Sequence, residues 1–167
     1  MWPEPMSSIQ STIQDMSIRA KEYNRNIDFG LRIHVIVRET EEEARAYAKH
    51  IMSKFDPAGY NLKHLAQDSK SAGVLRQDEV RDKMADEDDF VEPHLWMGIG
   101  RARSGCGGAI VGNPQQVLDK MRQYMEVGIR AFILSGYPLM DEARHFAKWV
   151  MPHLPNVKLN VLQGRNS

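Results

Sequence analysis

The spacing of apolar positions changes regularly along the chain. At residues 30–37, GLRIHVIV, Leu31, Ile33, Val35 and Val37 fall on one side of an extended chain, and Arg32, His34 and Ile36 on the other. This predicts a strand with one apolar face and one partly polar face. The period then lengthens: Thr40 with Glu43 three residues on forms a capping box, and Ala44, Tyr47, Ala48, Ile51, Met52 and Phe55 recur at helical spacing. The strand-helix pattern repeats twice. GAIVG at 108–112 leads into a helix opened by Asn113 and Pro114, running through Val117, Met121 and Tyr124 and closed by Gly128. RAFILSG at 130–136 leads into a helix with Ala143, Phe146, Ala147 and Val150 on one face. Ahead of all three units, Ser7 or Ser8 can cap a helix carrying Ile9, Ile13, Met16 and Ala20.

Strands alternating with helices predict an α/β fold with a parallel sheet, either part of a doubly wound sheet or part of an eight-stranded barrel. A full barrel takes about 250 residues, and the chain has 167. Between the first and second units, residues 56–96 are polar, charge-rich and weakly periodic, and include the acidic run DKMADEDDFVEP. A connection of that length reads as an insertion that is locally helical, a lid, or both. Residues 155–167 read as an extended tail.

Twenty-two basic and twenty-two acidic side chains give no net charge, so nothing asks for a nucleic-acid partner. No apolar run approaches the roughly 18 residues of a membrane span, and the first residues lack the basic region and apolar core of a signal peptide, so a cytoplasmic protein is expected. The single cysteine, Cys106, excludes a disulfide framework and reads as a small packed residue. His64, His94, His145 and His153 show no metal-ligand spacing. GIGRARSGCGG has the look of a phosphate loop, but its GIG follows an aromatic turn and not a predicted strand; VGNP, which opens a helix, is the better anion site on first principles.

A strand covered on both faces usually reads as near-continuous Val, Ile and Leu, so Arg32 and His34 need an explanation. An internal ion pair or a satisfied polar layer would be one. A binding site would be another. Four segments bear on the choice: WPEP (2–5), FGLRIHVIVRETEEEA (29–44), HLWMGIGRARSGCGGAIVG (94–112) and AFILSGYP (131–138). In this order and spacing they resemble the C-terminal half of the bacterial luciferase-like flavin-dependent monooxygenases, in particular the FMNH2-dependent alkanesulfonate monooxygenases.

The resemblance implies a partial TIM (β/α)8 barrel, with residues 1–154 supplying its last three strand-helix units and 56–96 an insertion or lid. It implies reduced FMN delivered by a separate NAD(P)H-dependent flavin reductase, consumption of O2, and cleavage of the carbon-sulfur bond of an organosulfonate to an aldehyde and sulfite. It also implies roles. Arg32, His34 and Tyr137 become catalytic candidates, Trp2 an aromatic wall of the substrate pocket, and Arg103 a substrate-side residue on a closing loop. The flavin phosphate and the family's active-site cysteine fall to residues upstream, so VGNP receives no phosphate and Cys106 is not that cysteine. A partial barrel has open sheet edges, so a homo-oligomer or a complementing N-terminal half is expected. The alternative is a non-catalytic remnant or assembly module.

Overall fold

The computed structural model describes residues 1–55, 72–102 and 105–155. In chain order they form α1 (Met6–Glu22), β1 (Phe29–Val37), α2 (Glu41–Met52), α3 (Ala72–Met84), β2 (Phe90–Glu92), β3 (Leu95–Trp96) and a single turn α4 (Ile99–Ala102). Then come β4 (Ala109–Gly112), α5 (Pro114–Glu126), β5 (Ile129–Ser135), α6 (Leu139–Trp149) and a closing 3-10 turn at Met151–His153. The three expected strand-helix units are β1-α2, β4-α5 and β5-α6. Reciprocal capping boxes start α2 (Thr40, Glu43) and α5 (Asn113, Gln116), and Gly128 follows α5 at φ +112°.

Helix α1 departs from expectation. Its N-cap is Pro5, without a side-chain cap; Ser7 and Ser8 already lie inside the helix. The open Met6 N–H instead donates to the Glu92 carboxylate at 3.0 Å, and the same carboxylate takes the Lys120 ammonium. A partner distant in sequence satisfies the donor that the local sequence leaves open. Ile9 is buried while Met16 is exposed, so the inward stripe of α1 comprises Met6, Ile9 and Ile13.

The described part of the 56–96 segment is more ordered than its composition suggests. It contains α3 and the β2-β3 hairpin, which adds two antiparallel strands to the sheet, Leu95 pairing with Ile110 and Trp96 with Ala109. GIG therefore follows a short strand, too brief to show a period in sequence. Residues 56–71 and the tail from 156 lie outside the described residues.

The sheet order is β2-β3-β4-β1-β5, with β1, β4 and β5 mutually parallel. The chain thus moves from β1 to β4 in one direction and returns across β1 to reach β5. Right-handed crossovers in opposite directions put their helices on opposite faces. Leu31, Ile33, Val35 and Val37 pack with Ile9, Val117, Met121, Tyr124 and Val150 on one side. On the other, Ile36 packs with Ala44 and Ala48 of α2, and with Ala109, Val111, Phe90 and Trp96. The alternation of β1 separates two cores. In a closed barrel successive strands are neighbours and every helix lies outside; here β5 lies beside β1 and helices cover both faces.

Coverage of the second face is incomplete. Helix α2 lies over β4 and the end of β1, leaving Gly30, Arg32, Ala131 and Ile133 exposed, the last at 66%. Helix α6 keeps its expected face only in part: Val150 is buried and Phe146 packs against the core, but Ala143 and Ala147 are exposed and Glu142 is buried. The cause is an ion pair, described below, that draws Glu142 inward. No described helix is long and apolar enough to cross a membrane.

Tyr124 yields a prediction. Its side chain is fully enclosed, its hydroxyl has no hydrogen-bond partner among the described residues, and burial holds its phenol far above the usual tyrosine range. Below about pH 10 both folded and unfolded chains keep this proton; above it only the unfolded chain loses it, so stability falls as pH rises. Tyr124→Phe should raise stability near neutral pH by about 1 kcal/mol and lessen the alkaline decline. Denaturant titrations at neutral pH and above about pH 10 measure both effects. A clear loss of stability at neutral pH would mean that the hydroxyl is bonded.

Candidate functional site at the carboxyl ends of β1 and β5

The connections leaving β1 and β5 diverge, since α2 lies on one face of the sheet and α6 on the other. In open α/β sheets the crevice beyond the carboxyl ends of two such neighbouring strands is where ligands bind. The parallel register sets Arg32 beside Ile133 and His34 beside Ser135 on one face, with Tyr137 two residues further on.

His34 is 1% exposed. Its Nε2 lies 3.1 Å from the Cys106 carbonyl, its Nδ1 2.7 Å from Ser135 Oγ, and its ring 5.3 Å from that of Tyr137 between centroids. The Cys106 thiol in turn donates to the Arg32 carbonyl at 3.2 Å, and the His34 N–H donates to the Gly108 carbonyl at 3.0 Å. The loop entering β4 is thereby stitched to β1 through both side chains and backbone. Cys106 is fully buried and serves as the packed residue expected of it.

Arg32 is exposed, and its backbone is tied to the start of the chain. Its N–H donates to the Met1 carbonyl at 2.9 Å, and the Met1 ammonium donates to the Gly30 carbonyl at 2.6 Å. The N-terminal segment therefore runs along β1 ahead of the point where β4 begins to pair. Trp2 follows it, its ring so close to Gly73 in α3 that a Cβ there would meet the indole at 3.1 Å. The structure thus gathers Arg32, His34 and Tyr137 on one face and sets Trp2 on the adjoining segment. Arg103 lies outside the described residues. Arg101 is held by Asp89 in a forked pair at 2.5–2.9 Å, and that hydrogen bonding raises its pKa.

A second constellation ties the two diverging helices together. The Arg38 guanidinium donates to both Glu142 oxygens at 2.7 and 3.1 Å, to the Val37 carbonyl at 2.7 Å and to His145 Nδ1 at 3.1 Å, and lies 3.8 Å above the centre of the Tyr47 ring. The Tyr47 hydroxyl donates to the Tyr137 carbonyl at 2.9 Å, and burial pushes its phenol up. Gly136 is required here, because a Cβ would come within 2.4 Å of the Glu142 side chain. The Tyr137-Pro138 peptide is cis. Sequence reading missed Ser135, Arg38, Tyr47 and Glu142. Ser135 alone left a trace, as the one uncharged polar residue in an otherwise apolar run.

The fit of a phosphate can be tested on the described residues. At VGNP the Asn113 N–H donates to Gln116 Oε1 at 2.8 Å and the Gln116 N–H to Asn113 Oδ1 at 3.0 Å, so the capping box already occupies the donors an anion would need. Helix α2 is closed in the same way by Thr40 and Glu43. At these two helix starts the described residues form no phosphate cradle. A groove of about 630 Å³ between α2 and the hairpin, lined by Arg45, Lys49, Asp88, Phe90 and Trp96, contains none of the candidates.

Comparison with known proteins gives the family and the fold. The luciferase-like monooxygenase family matches residues 1–131. The chain is 55% identical over 162 residues to a sulfoquinovose monooxygenase of Novosphingobium aromaticivorans, covering 96% of this chain and 44% of that protein. It is 48% identical over 166 residues to a sulfoquinovose monooxygenase of Agrobacterium fabrum, covering 99% and 43%. The chain therefore spans less than half the length of these relatives. Among solved structures, DmoA from Hyphomicrobium sulfonivorans superposes with a TM-score of 0.65 at 17% identity, over 99% of this chain and 37% of that one. The fold class expected from the sequence, part of a TIM barrel, is that of its structural neighbours, of which this chain covers only part, here with the described strands in the order β2-β3-β4-β1-β5.

The Arg38 and Glu142 side chains are 13% and 3% exposed. Removing one partner leaves a buried charge, so Glu142→Ala should cost about 3 kcal/mol in denaturant unfolding. Arg38→Met combined with Glu142→Leu should recover much of that loss, because the pair must also be desolvated. A single substitution within about 0.5 kcal/mol of the parent would mean that the pair behaves as an exposed one.

Proposed function

Because the chain belongs to the luciferase-like monooxygenase family, we propose that it supplies the sulfonate-binding face of a flavin-dependent monooxygenase that cleaves a carbon-sulfur bond. The observation that carries this reading is Arg32, an exposed residue on the partly polar sheet face, two residues from the His34-Ser135 pair. A sulfonate offers oxygens that a planar guanidinium can bind with two parallel hydrogen bonds. The substrate class this favours is a sulfonated sugar rather than a plain alkanesulfonate, since the two relatives above are named for sulfoquinovose.

In the overall reaction the sulfonated carbon loses sulfite and becomes an aldehyde; one oxygen atom of O2 enters that aldehyde and the other leaves as water. Reduced FMN, supplied by a flavin reductase using NAD(P)H, would provide the two electrons and activate the oxygen. The roles of this chain are binding and orientation. Arg32 holds the sulfonate, His34 and Tyr137 line the adjoining face, and Trp2 and Arg103 are assigned to the substrate side. The flavin phosphate is left to residues beyond those described, in keeping with the occupied helix starts. Exposed Ile133 on the edge strand β5 supports a covering polypeptide, either a complementing N-terminal half or a second copy.

Two measurements test this. The 167-residue chain alone should not bind FMN tightly, because a ligand that buries most of its surface needs walls on every side; micromolar affinity in a flavin fluorescence titration would refute that. In a protein completed by a family N-terminal half, Arg32→Lys keeps the charge but loses the planar fork, and should lower turnover about 10²-fold. Ile33→Val, on the opposite face, should cost about 1 kcal/mol of stability and leave turnover nearly intact. The reverse pattern would mean that the functional face has been misassigned.

A further inference from the structure

The turn between β5 and α6 is gripped from α2. Pro138 has no N–H, so the peptide group that joins it to Tyr137 can be fixed by hydrogen bonding only through the Tyr137 carbonyl oxygen. The Tyr47 hydroxyl of α2 reaches this oxygen at 2.9 Å. A carbonyl can only accept, so the direction of the bond is set, and burial pushes the Tyr47 phenol up, which keeps the donated hydrogen in place below about pH 10. Tyr47 is itself held, with the Arg38 guanidinium 3.8 Å above the centre of its ring and bonded to both Glu142 oxygens in α6. Packing alone does not call for a tyrosine here. The ring sits at the edge of the apolar cluster of Ile36, Ala44 and Ala48, a place phenylalanine would fill as well.

The side chain of the same residue points into the site: the Tyr137 ring lies against that of His34, with centroids 5.3 Å apart and planes inclined at 37°. We propose that Tyr47 is a positioning residue: by anchoring the Tyr137 carbonyl to α2, it fixes the backbone from which the Tyr137 ring is presented against His34, on the sheet face that carries Arg32. A bond to the main chain suits this task, because the peptide is planar and its orientation limits the direction in which the side chain leaves the backbone. Tyr47 acts on the reaction through Tyr137, so its loss bears on orientation at the reacting centre and not on substrate affinity. The inference rests on the proposed function for the part Tyr137 plays in the reaction, but not for the anchoring of its backbone.

Tyr137-Pro138 is the one Tyr-Pro pair in the sequence. Labelling tyrosine carbonyl carbons with ¹³C and proline nitrogens with ¹⁵N therefore singles out this peptide in the full chain, without any flavin or turnover. Tyr47→Phe keeps the ring beneath Arg38 and removes the donor. The expected result is an upfield shift of the Tyr137 carbonyl carbon together with a weaker Overhauser contact between the Tyr137 and His34 rings. An unmoved carbonyl, or a moved carbonyl with the ring contact intact, overturns the proposal. In the completed, flavin-supplied protein, Tyr47→Phe should lower kcat about tenfold, the worth of one hydrogen bond, and change KM by less than about twofold. Ile33→Val, a core change, separates positioning from structure: a Tyr47→Phe protein that keeps as much turnover as Ile33→Val, or that loses affinity in place of kcat, overturns the proposal. Absence of turnover by the completed parent protein on every sulfonate, with the expected ¹³C and ring signals, would refute the proposed function, and with it the role of Tyr47 in the reaction, leaving only the anchoring of the Tyr137 backbone standing.

Discussion

The central strand β1 carries two incompatible demands, and the rest of the molecule follows from how they are met. One face must be apolar enough to hold α1, α5 and α6; the other carries a cation and an imidazole. Burying both faces completely would leave the guanidinium without water, at a cost of several kcal/mol. The chain avoids this by covering the second face unevenly. Helix α2 closes over Ile36, where the strand is apolar, and leaves the stretch around Arg32 open. His34, between the two regimes, is buried but fully hydrogen-bonded within a few ångströms.

That compromise depends on topology. Because β5 returns to the far side of β1, the polar positions of two parallel strands come into register, and the connections leaving those strands separate above them. Arg38 then braces the gap, touching α2 through the Tyr47 ring and α6 through Glu142. The brace is chemically distinct from the site it borders: its charges are paired internally, whereas Arg32 faces solvent. An arginine saturated by the protein and one left available lie six residues apart on the same strand and its exit.

What could be read from the sequence was local. Capping boxes depend on residues three apart, so Thr40 with Glu43 and Asn113 with Gln116 were legible, as were the strand periods and the segregation of Leu31, Ile33, Val35 and Val37 from Ile36. The illegible features were decided by partners far away. Glu142 took a buried place because Arg38, 104 residues earlier, pairs with it. Ser135 reaches His34 across 101 residues, through a strand order that no local pattern encodes. The hairpin strands span three and two residues, too few to show an alternation. Resemblance filled part of this gap by pointing to Arg32, His34 and Tyr137, and the fold brings those three to one face, but it carried no information about their hydrogen-bond partners.

Cys106 has a practical side. It is the only thiol in the chain, fully buried, and bonded through sulfur to the backbone of Arg32, while its own carbonyl anchors His34. A thiol so placed cannot react while the loop remains docked on β1. Its rate of alkylation is therefore a clock for the opening of this one contact, and it lets the integrity of the strand bearing Arg32 and His34 be followed by mass spectrometry without introducing a label or altering a residue.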